Sequence, residues 1–169
     1  YYTTYSPIAS SSDASTFGDL LLTANDDGLT SLTFCKGKKQ VAVDKSWELR
    51  PPAFKEATLQ LDEYFSGKRS EFSLQLAPQG TPFQKKVWQA LQTISMGDTK
   101  SYTWLAEKIN NKKAVRAVGT ANGANPIGLI IPCHRVIGSD GSLTGYAGGL
   151  WRKKWLLDHE SPVKQQSLF

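Results

Sequence analysis

The sequence is poor in the residues that build cross-linked or metal-bound proteins. Its 169 residues include only two cysteines, Cys35 and Cys133, and two histidines, His134 and His159. We therefore expect no disulfide framework, and a reducing compartment, the cytoplasm, is the simplest setting. A zinc site would need all four of these side chains. Because no pair of them has the spacing of zinc ligands, we expect no metal.

Long apolar runs are also missing. A membrane-spanning helix would need about 18 consecutive apolar residues, and the sequence has no such stretch. No signal peptide is visible at the start. Residues 1–16 are polar and rich in serine, so we expect a loosely ordered lead-in. The hydrophobic fraction of 40% and the five tryptophans are enough to form real cores.

Negative charge is scarce in the second half of the chain. Residues 83–169 contain 12 Lys and Arg but only 5 Asp and Glu, whereas residues 1–82 contain 8 and 10. This distribution suggests that the second half binds a polyanion, with nucleic acid as the first candidate. From charge alone, a basic surface kept for solubility explains it equally well.

Residues 1–76 predict a small α+β domain. Residues 20–24 and 29–35 are rich in strand-forming side chains, and Asp27-Gly28 between them suits the tight turn of a β-hairpin. Apolar residues recur with helical spacing over residues 54–65. Residues 72–76 alternate between apolar and polar side chains, which predicts a half-buried strand.

Residues 77–82 predict a linker, and residues 83–169 predict a mainly helical domain. Thr81, Pro82 and Gln84 provide the cap, first-turn proline and capping box of a helix. Helices over residues 102–109 and 113–122, separated by Asn110-Asn111, form a helix-turn-helix pattern. A last helix over residues 150–160 is expected to bury four apolar residues before a frayed tail: Leu150, Trp155, Leu156 and Leu157.

The second helix of this pair carries many small side chains. Such residues let a helix backbone approach another surface closely. That surface is either nucleic acid or the interior of the protein's own domain, because helix-turn-helix geometry also occurs without DNA. The local excess of basic residues favours DNA.

Cys133 is the candidate nucleophile. A lone cysteine is usually a buried structural residue, and Cys35 fits that description. Cys133 differs because His134 and Arg135 follow it directly. Since a cation or a base lowers the pKa of a thiol, we expect Cys133 to be reactive.

His134 is the candidate base for this thiol. Adjacent side chains of an extended segment point to opposite faces, so a bridging water or a locally turned backbone would be needed to join them. The imidazole would also need an orienting carboxylate, for which Glu160 is the best candidate. From sequence alone, Glu160 fits a solvated helix end better.

Pro132-Cys133-His134-Arg135-Val136 resembles the active-site motif of the O6-alkylguanine-DNA alkyltransferases. Further similar blocks follow in the family's order over roughly half the chain: Arg116-Ala117-Val118-Gly119, Asn125-Pro126, Gly145-Tyr146-Ala147-Gly148-Gly149 and Trp155-Leu156-Leu157 with His159-Glu160. The resemblance implies an α+β fold, in which a ribonuclease-H-like domain precedes a mainly helical (winged) helix-turn-helix DNA-binding domain that carries the active site.

The resemblance also implies direct-reversal DNA repair. An O6-alkylguanine, and also an O4-alkylthymine, would be turned out of duplex DNA because its alkyl carbon is inaccessible within the stack. Cys133 would then take the alkyl group irreversibly, one event per molecule, without a cofactor. We expect a monomer whose partner is double-stranded DNA with the damaged base.

The resemblance places the DNA contacts on the helix-turn-helix, which would lie along the minor groove. Arg116 matches the arginine that takes the space of the extruded nucleotide, although the residue alone would favour a phosphate contact or a surface salt bridge. Tyr102 matches the tyrosine that helps to turn the nucleotide out and takes part in catalysis. Four further residues are expected to contact DNA: Ala114, Ala117, Gly119 and Arg135.

The resemblance likewise implies a pocket for the extruded base. Val136 and Tyr146 would form its walls, and the Tyr102 hydroxyl, the Ala147 amide and Lys153 would donate hydrogen bonds to the leaving base. Asn125 would act as a hinge by stabilising the turn before the active-site segment. Ala147 stands where some members have Ser, so their hydroxyl is missing here.

Two other functions fit parts of the sequence. A non-catalytic helix-turn-helix protein that binds alkylation damage would leave Cys133 inert, but relatives of that kind replace the cysteine. A cysteine hydrolase using Cys133 and His134 would turn over repeatedly. It would leave the helix-turn-helix and the basic half of the chain unexplained.

Overall fold

The first half of the protein is built on an antiparallel sheet of three strands in the order β1-β2-β3. The structure, a computed structural model, describes residues 1–7, 17–35 and 43–161. Strand β1 is Tyr2–Tyr5, β2 is Leu20–Asn25 and β3 is Gly28–Phe34. Strands β2 and β3 form the predicted hairpin, in which Asn25 pairs with Gly28.

The start of the chain differs from the loose lead-in that we expected. Residues Tyr2 to Tyr5 pair with β2 along their length, and the side chains of Thr3 and Tyr5 are buried. The run of Tyr and Thr at the start of the chain was the missed signal, because both residue types favour strands. Residues 8–16, the rest of the predicted lead-in, lie outside the described residues.

Helix α1, Lys55–Phe65, packs against this sheet after a 3-10 turn at Pro51–Phe54. The strand predicted over residues 72–76 is wrong. Only an isolated bridge joins Leu76 to Leu29, and the backbone of Gln75 and Ala77 pairs with Leu29. This irregular pairing covers part of the outer edge of β3, which would otherwise expose unpaired backbone groups.

The second half is mainly helical. Helix α2, Pro82–Leu91, begins with the predicted capping box at Thr81. Helices α3, Tyr102–Lys108, and α4, Val115–Gly123, form the helix-turn-helix, and Asn110 adopts a φ of 60° in the turn between them. Short strands β4, Lys100–Ser101, and β5, Val136–Ile137, pair in parallel. The α+β class predicted from the sequence is therefore confirmed.

The last helix, α5, spans Leu150–Glu160 as expected, but of the four apolar residues expected to be buried only Leu156 is. Its four buried residues are Arg152, Lys153, Leu156 and Glu160, whereas Leu150 is 47% exposed. The tail after residue 161 lies outside the described part of the chain. Among the described residues, no helix is both long and apolar enough to cross a bilayer.

The two halves meet along β3. The Leu32 amide donates to the Pro126 carbonyl at 2.9 Å, and the Gly128 amide donates to the Leu32 carbonyl at 3.1 Å. The loop that leads to Cys133 is thus fixed to the edge of the first sheet. The folded first half therefore determines where this loop lies.

Candidate active site

Local hydrogen bonds fold the segment before Cys133. The Asn125 side chain donates to the Ile131 carbonyl at 2.8 Å and accepts from the Ile127 amide at 3.0 Å. Leu129, which is buried in this loop, has a φ of 70° that a non-glycine residue adopts only when its surroundings enforce it. Asn125 thus occupies the turn at which the sequence placed a hinge.

Cys133 begins a single 3-10 turn, Cys133–Arg135, and its side chain is 7% exposed. Burial raises the pKa of the Cys133 thiol, while a side-chain hydrogen bond with Asn125 and the charge of Lys153 act in the opposite direction. The expectation of a lowered pKa is wrong because desolvation outweighs these favourable groups. The thiol therefore needs a base to lose its proton.

His134 is fully buried, and its ring is oriented by Glu160. Its Nε2 atom lies 2.8 Å from Glu160 Oε2, whereas Nδ1 has no hydrogen-bond partner among the described residues. A carboxylate on one ring nitrogen fixes the tautomer and leaves the other nitrogen as the proton acceptor. The 3-10 turn does not bring Nδ1 into a direct hydrogen bond with Cys133, so a bridging water is the remaining route between them.

Arg135 does not face outward, which contradicts the expectation that it contacts DNA. Its Nε atom donates to Glu160 Oε1 at 2.8 Å, Nη2 donates to Glu160 Oε2 at 3.1 Å, and Nη1 donates to the Ile94 carbonyl at 2.6 Å. The residue is only 7% exposed. A buried guanidinium requires such partners, and these leave Arg135 occupied inside the protein.

Glu160 is the centre of this buried network and not a solvated helix end. Burial favours its neutral form, but the charges and hydrogen bonds of His134 and Arg135 hold the pKa of the carboxyl well below its usual range. A further donor comes from the first half of the chain. The Tyr64 hydroxyl donates to Glu160 Oε2 at 2.6 Å. Sequence reasoning missed Tyr64, because a tyrosine on an apolar helix face gives no sign of its partner.

A cavity of about 120 Å³ opens beside Cys133. Tyr146 and Ala147 line it as expected, and Asn122 of α4 lines it in addition. The sequence also gave no indication that β3 supplies part of the wall. That strand contributes three residues: Leu32, Thr33 and Phe34.

Val136 and Lys153, which were expected at the base pocket, do not line the cavity. Both are fully buried, and the Lys153 ammonium donates to the carbonyls of Val136 at 2.7 Å and Thr144 at 3.0 Å. Burial lowers the pKa of Lys153 to about 8, partly opposed by Cys133. Lys153 thus joins the active-site strand to the 144–149 loop.

Tyr102 and α4 form the face of the site that is open to solvent. The Tyr102 hydroxyl lies 2.5 Å from Thr144 Oγ1, and a Cβ on Gly119 would meet the Tyr102 ring at 3.7 Å. Arg116 and Ala117 are exposed on α4, and Ala114 is half-buried just before it. The helix-turn-helix therefore exposes Arg116 to solvent, while the last residues of α4, Asn122 and Gly123, line the cavity.

We found no arrangement suited to a metal ion within residues 1–7, 17–35 and 43–161. No three His, Cys, Asp or Glu side chains come together there.

The fold and the site together define a two-part α+β protein with a Cys–His–Glu centre beside a helix-turn-helix. Two family models match this chain. The ribonuclease-like domain of 6-O-methylguanine DNA methyltransferase matches residues 1–78, and the DNA binding domain of the same family matches residues 82–162. The chain therefore belongs to the 6-O-methylguanine DNA methyltransferase family.

Relatives and solved structures agree with this assignment. A methylated-DNA–protein-cysteine methyltransferase of Methanosarcina barkeri is 53% identical over 86% of this chain and 92% of its own length. One of Haemophilus influenzae is 43% identical over 95% of this chain and 86% of its own. The crystal structure of Mycobacterium tuberculosis OGT in complex with DNA superposes with a TM-score of 0.83, at 41% identity over 99% of both chains.

Proposed function

We propose that this protein repairs DNA by transferring the alkyl group of O6-alkylguanine, and of O4-alkylthymine, to Cys133. The observation that carries the proposal is a buried Cys133 at a small cavity, next to a His134–Glu160 pair and beneath an exposed helix-turn-helix. The relatives' name, methylated-DNA–protein-cysteine methyltransferase, supports the same reaction.

The damaged base must leave the duplex before it can react. Cys133 lies inside the protein, so a stacked base could not bring its alkyl carbon to the sulfur. Arg116, exposed on α4, would fill the space of the extruded nucleotide. Tyr102, whose hydroxyl bonds to Thr144 next to the cavity-lining Gly145, would help to turn it out. The exposed Ala117 lets α4 lie close to the minor groove.

The chemistry is a displacement at the alkyl carbon. The thiol proton passes to His134 Nδ1, through a water, while Glu160 holds the Nε2 side of the ring. A carbon–sulfur bond forms at Cys133 as the bond from carbon to the base oxygen breaks. The electron pair stays on the base, which regains a neutral form by taking up a proton. The thioether is not reversed, so each molecule reacts once.

The leaving base gains negative charge, and two positions beside the cavity can stabilise it. The Ala147 amide lies in the exposed part of the 144–149 loop. The Lys153 ammonium already donates to the carbonyls of Val136 and Thr144. It would therefore act on the base as a fixed positive charge near the sulfur and not as a hydrogen-bond donor. The Tyr102 hydroxyl would have to break its hydrogen bond with Thr144 Oγ1 before it could donate to the base.

The chain divides into a supporting part and a reactive part. We assign residues 1–76 to a domain that supports the site, residues 77–82 to a linker and residues 83–169 to the DNA-binding and reactive domain. The protein would act as a monomer on double-stranded DNA containing the damaged base. A reaction that each molecule performs once, with residues of its own chain, requires no second subunit.

The test is the intact-protein mass after incubation with duplex DNA that contains one O6-methylguanine. We expect a gain of one methylene, roughly 14 Da, capped at one per molecule because the nucleophile is consumed. Cys133→Ser should show no gain. Cys35→Ser is the matched control, since Cys35 is a free and half-buried thiol outside the cavity, and this variant should react normally.

Lesion-selective binding without any mass change would overturn the transfer and leave a damage-binding protein. Release of modified product with repeated turnover would instead support a cysteine hydrolase.

A further inference from the structure

One hydrogen bond from the first half of the chain ends on the carboxylate that orients His134. Tyr64 lies on α1, and its hydroxyl donates to Glu160 Oε2 at 2.6 Å. The same oxygen lies 2.8 Å from His134 Nε2. Tyr64 and His134 therefore bind one atom of the orienting carboxylate.

Both ends of this hydrogen bond are removed from solvent. Tyr64 is fully buried and Glu160 is 5% exposed. A buried tyrosine hydroxyl needs a partner, and a bond to a carboxylate is worth more in a site screened from bulk solvent than it would be at the surface. Burial and the negative charge of Glu160 raise the pKa of Tyr64 well above its usual value, so the hydroxyl stays protonated and remains a donor.

The donors around Glu160 divide between its two oxygens. Arg135 binds Oε1 at 2.8 Å and reaches Oε2 at 3.1 Å. Tyr64 makes the shortest contact to Oε2, the oxygen that orients the imidazole. Without this hydroxyl the carboxylate could rotate toward Arg135, and the direction in which His134 is held would change.

We propose that Tyr64 is a positioning residue for the transfer reaction, acting through Glu160 on His134. The proposal rests on the proposed function of Cys133 and His134. It gives the first half of the protein a part in the reaction beyond support of the fold. It also gives a reason why the reactive domain is not independent of the sheet and helix that precede it.

The Tyr64 ring is held independently of its hydroxyl, which makes the proposal testable. The ring contacts three neighbouring rings at centroid distances between 5.1 and 5.4 Å: Phe65, Phe72 and His159. Tyr64→Phe therefore keeps this packing and removes only the donor. Tyr5→Phe is the matched control, because the Tyr5 hydroxyl also donates to a carboxylate on α1, Asp62, at 2.7 Å, and that carboxylate is not the one that orients His134.

The experiment measures single-turnover transfer from O6-methylguanine duplex DNA and, separately, the Kd for the same DNA with Cys133→Ser added to each variant. Removing a hydrogen bond to a buried charge should slow transfer at saturating DNA by about tenfold in Tyr64→Phe. The Kd should not change, because Tyr64 does not face the DNA. Tyr5→Phe should match the wild type in both measurements.

A second readout does not depend on transfer. The NMR signal of the proton between His134 Nε2 and Glu160 should move downfield in Tyr64→Phe, because Oε2 has lost a competing donor, and it should stay unmoved in Tyr5→Phe. A wild-type transfer rate in Tyr64→Phe, or a slower rate matched by an equally weaker Kd, would overturn the positioning role. Failure of the wild type to transfer would overturn the proposed function, while the NMR shift would still decide whether Tyr64 acts on His134.

Discussion

Two arginines of the second half, Arg116 and Arg135, are used in opposite ways. Arg116 extends from α4 into solvent. Arg135 is buried in the turn that begins at Cys133, where it donates to both oxygens of Glu160 and to the Ile94 carbonyl. One helix thus keeps its charge available to a partner, while the turn uses its charge to hold the reacting residues.

The difference follows from the acceptors that the fold brings to each side chain. Burial of a guanidinium is costly unless a carboxylate and further acceptors satisfy it. Glu160, which lies on α5, satisfies Arg135, and no acceptor pairs with the Arg116 guanidinium among the described residues. The exposed face should therefore govern DNA affinity, and the buried network should govern both stability and transfer.

The largest effect is expected from Glu160→Gln. The amide keeps the shape of the side chain but leaves Arg135 buried without a counter-charge, and breaking a buried ion pair in this way costs about 3–5 kcal/mol. Transfer to Cys133 should also fall, because His134 loses its anionic partner. Urea unfolding and single-turnover rates measure the two effects. Asp158→Asn on the same helix is the control, since its pair with Lys154 is exposed.

Acid should remove from the wild type the stabilisation that the ionised Glu160 carboxylate provides. His134 and Arg135 lower the pKa of Glu160 in the folded protein, so the unfolded chain binds more protons once the pH falls below the usual carboxyl range. The stabilisation is therefore complete above about pH 5, where carboxyl groups of the unfolded chain are ionised, and it is lost as the pH falls. Unfolding measured from pH 7 to pH 3 should show the gap between wild type and Glu160→Gln narrowing. A constant gap would contradict the assignment.

Replacement of Lys153 should have an intermediate effect. Lys153→Met fills the same space but leaves the carbonyls of Val136 and Thr144 without their buried donor, at a cost of about 1–3 kcal/mol. Lys154→Met, at an exposed neighbour, is the control and should be nearly neutral. Equal stability of the two variants would show that Lys153 is not structurally required.

The Lys153 variant also changes the dependence of stability on alkaline pH. In the wild type the folded protein loses the Lys153 proton at about pH 8, while the unfolded chain keeps it until about pH 10.4. The unfolded chain binds more protons in this window, so Lys153 alone makes stability rise with pH there. Unfolding measured from pH 8 to pH 10 should show this contribution in the wild type and not in Lys153→Met.

The sequence predicted those features that depend on local pattern. The β2–β3 hairpin, the capping box at Thr81 and the span of α5 follow from turn chemistry, capping and periodicity. Glu160 was only a candidate partner for His134, because from sequence alone it fitted a solvated helix end better, and the family resemblance was needed to favour the pairing. The hairpin, the capping box and the helix span needed only neighbours in the chain.

The remainder depends on contacts between distant parts of the chain. Arg135 was expected to contact DNA because only the fold brings its acceptors to it, Glu160 from α5 and the Ile94 carbonyl, and no sequence pattern marks them. Tyr64 and the β3 wall of the cavity escaped notice because only the folded interface brings them to Glu160 and Cys133. The buried face of α5 was misjudged for the same reason, since carbonyls elsewhere satisfy Arg152 and Lys153.

Arg116→Ala should leave stability unchanged and weaken DNA binding. An exposed side chain without internal partners contributes within about 0.5 kcal/mol to unfolding. Loss of its contact with the lesion DNA should weaken the Kd by about tenfold, and the loss should grow smaller at high salt if the charge is what matters. Arg50→Ala, at an exposed arginine paired with Glu48 in the first half, is the control and should bind normally. A destabilised Arg116→Ala would break the proposed division.

The smallest effects are expected from enlarging the small residues of α4. They test whether these residues are small because the helix approaches DNA closely or because it packs tightly within its own domain. A Cβ on Gly119 would meet only the Tyr102 ring at 3.7 Å, an ordinary contact. Gly119→Ala should therefore raise the free energy of unfolding by about 0.5–1 kcal/mol through helix propensity, without changing the Kd for lesion DNA.

Ala117→Leu is the matched comparison on the exposed face of the same helix. Its larger side chain should leave stability nearly unchanged and weaken the Kd, because it would hold the helix backbone away from the minor groove. If Gly119→Ala weakens DNA binding as much as Ala117→Leu does, then the helix backbone at Gly119 also approaches the DNA closely. Unchanged binding in both variants would instead mean that α4 does not approach the groove closely, and that its small residues serve packing within the domain.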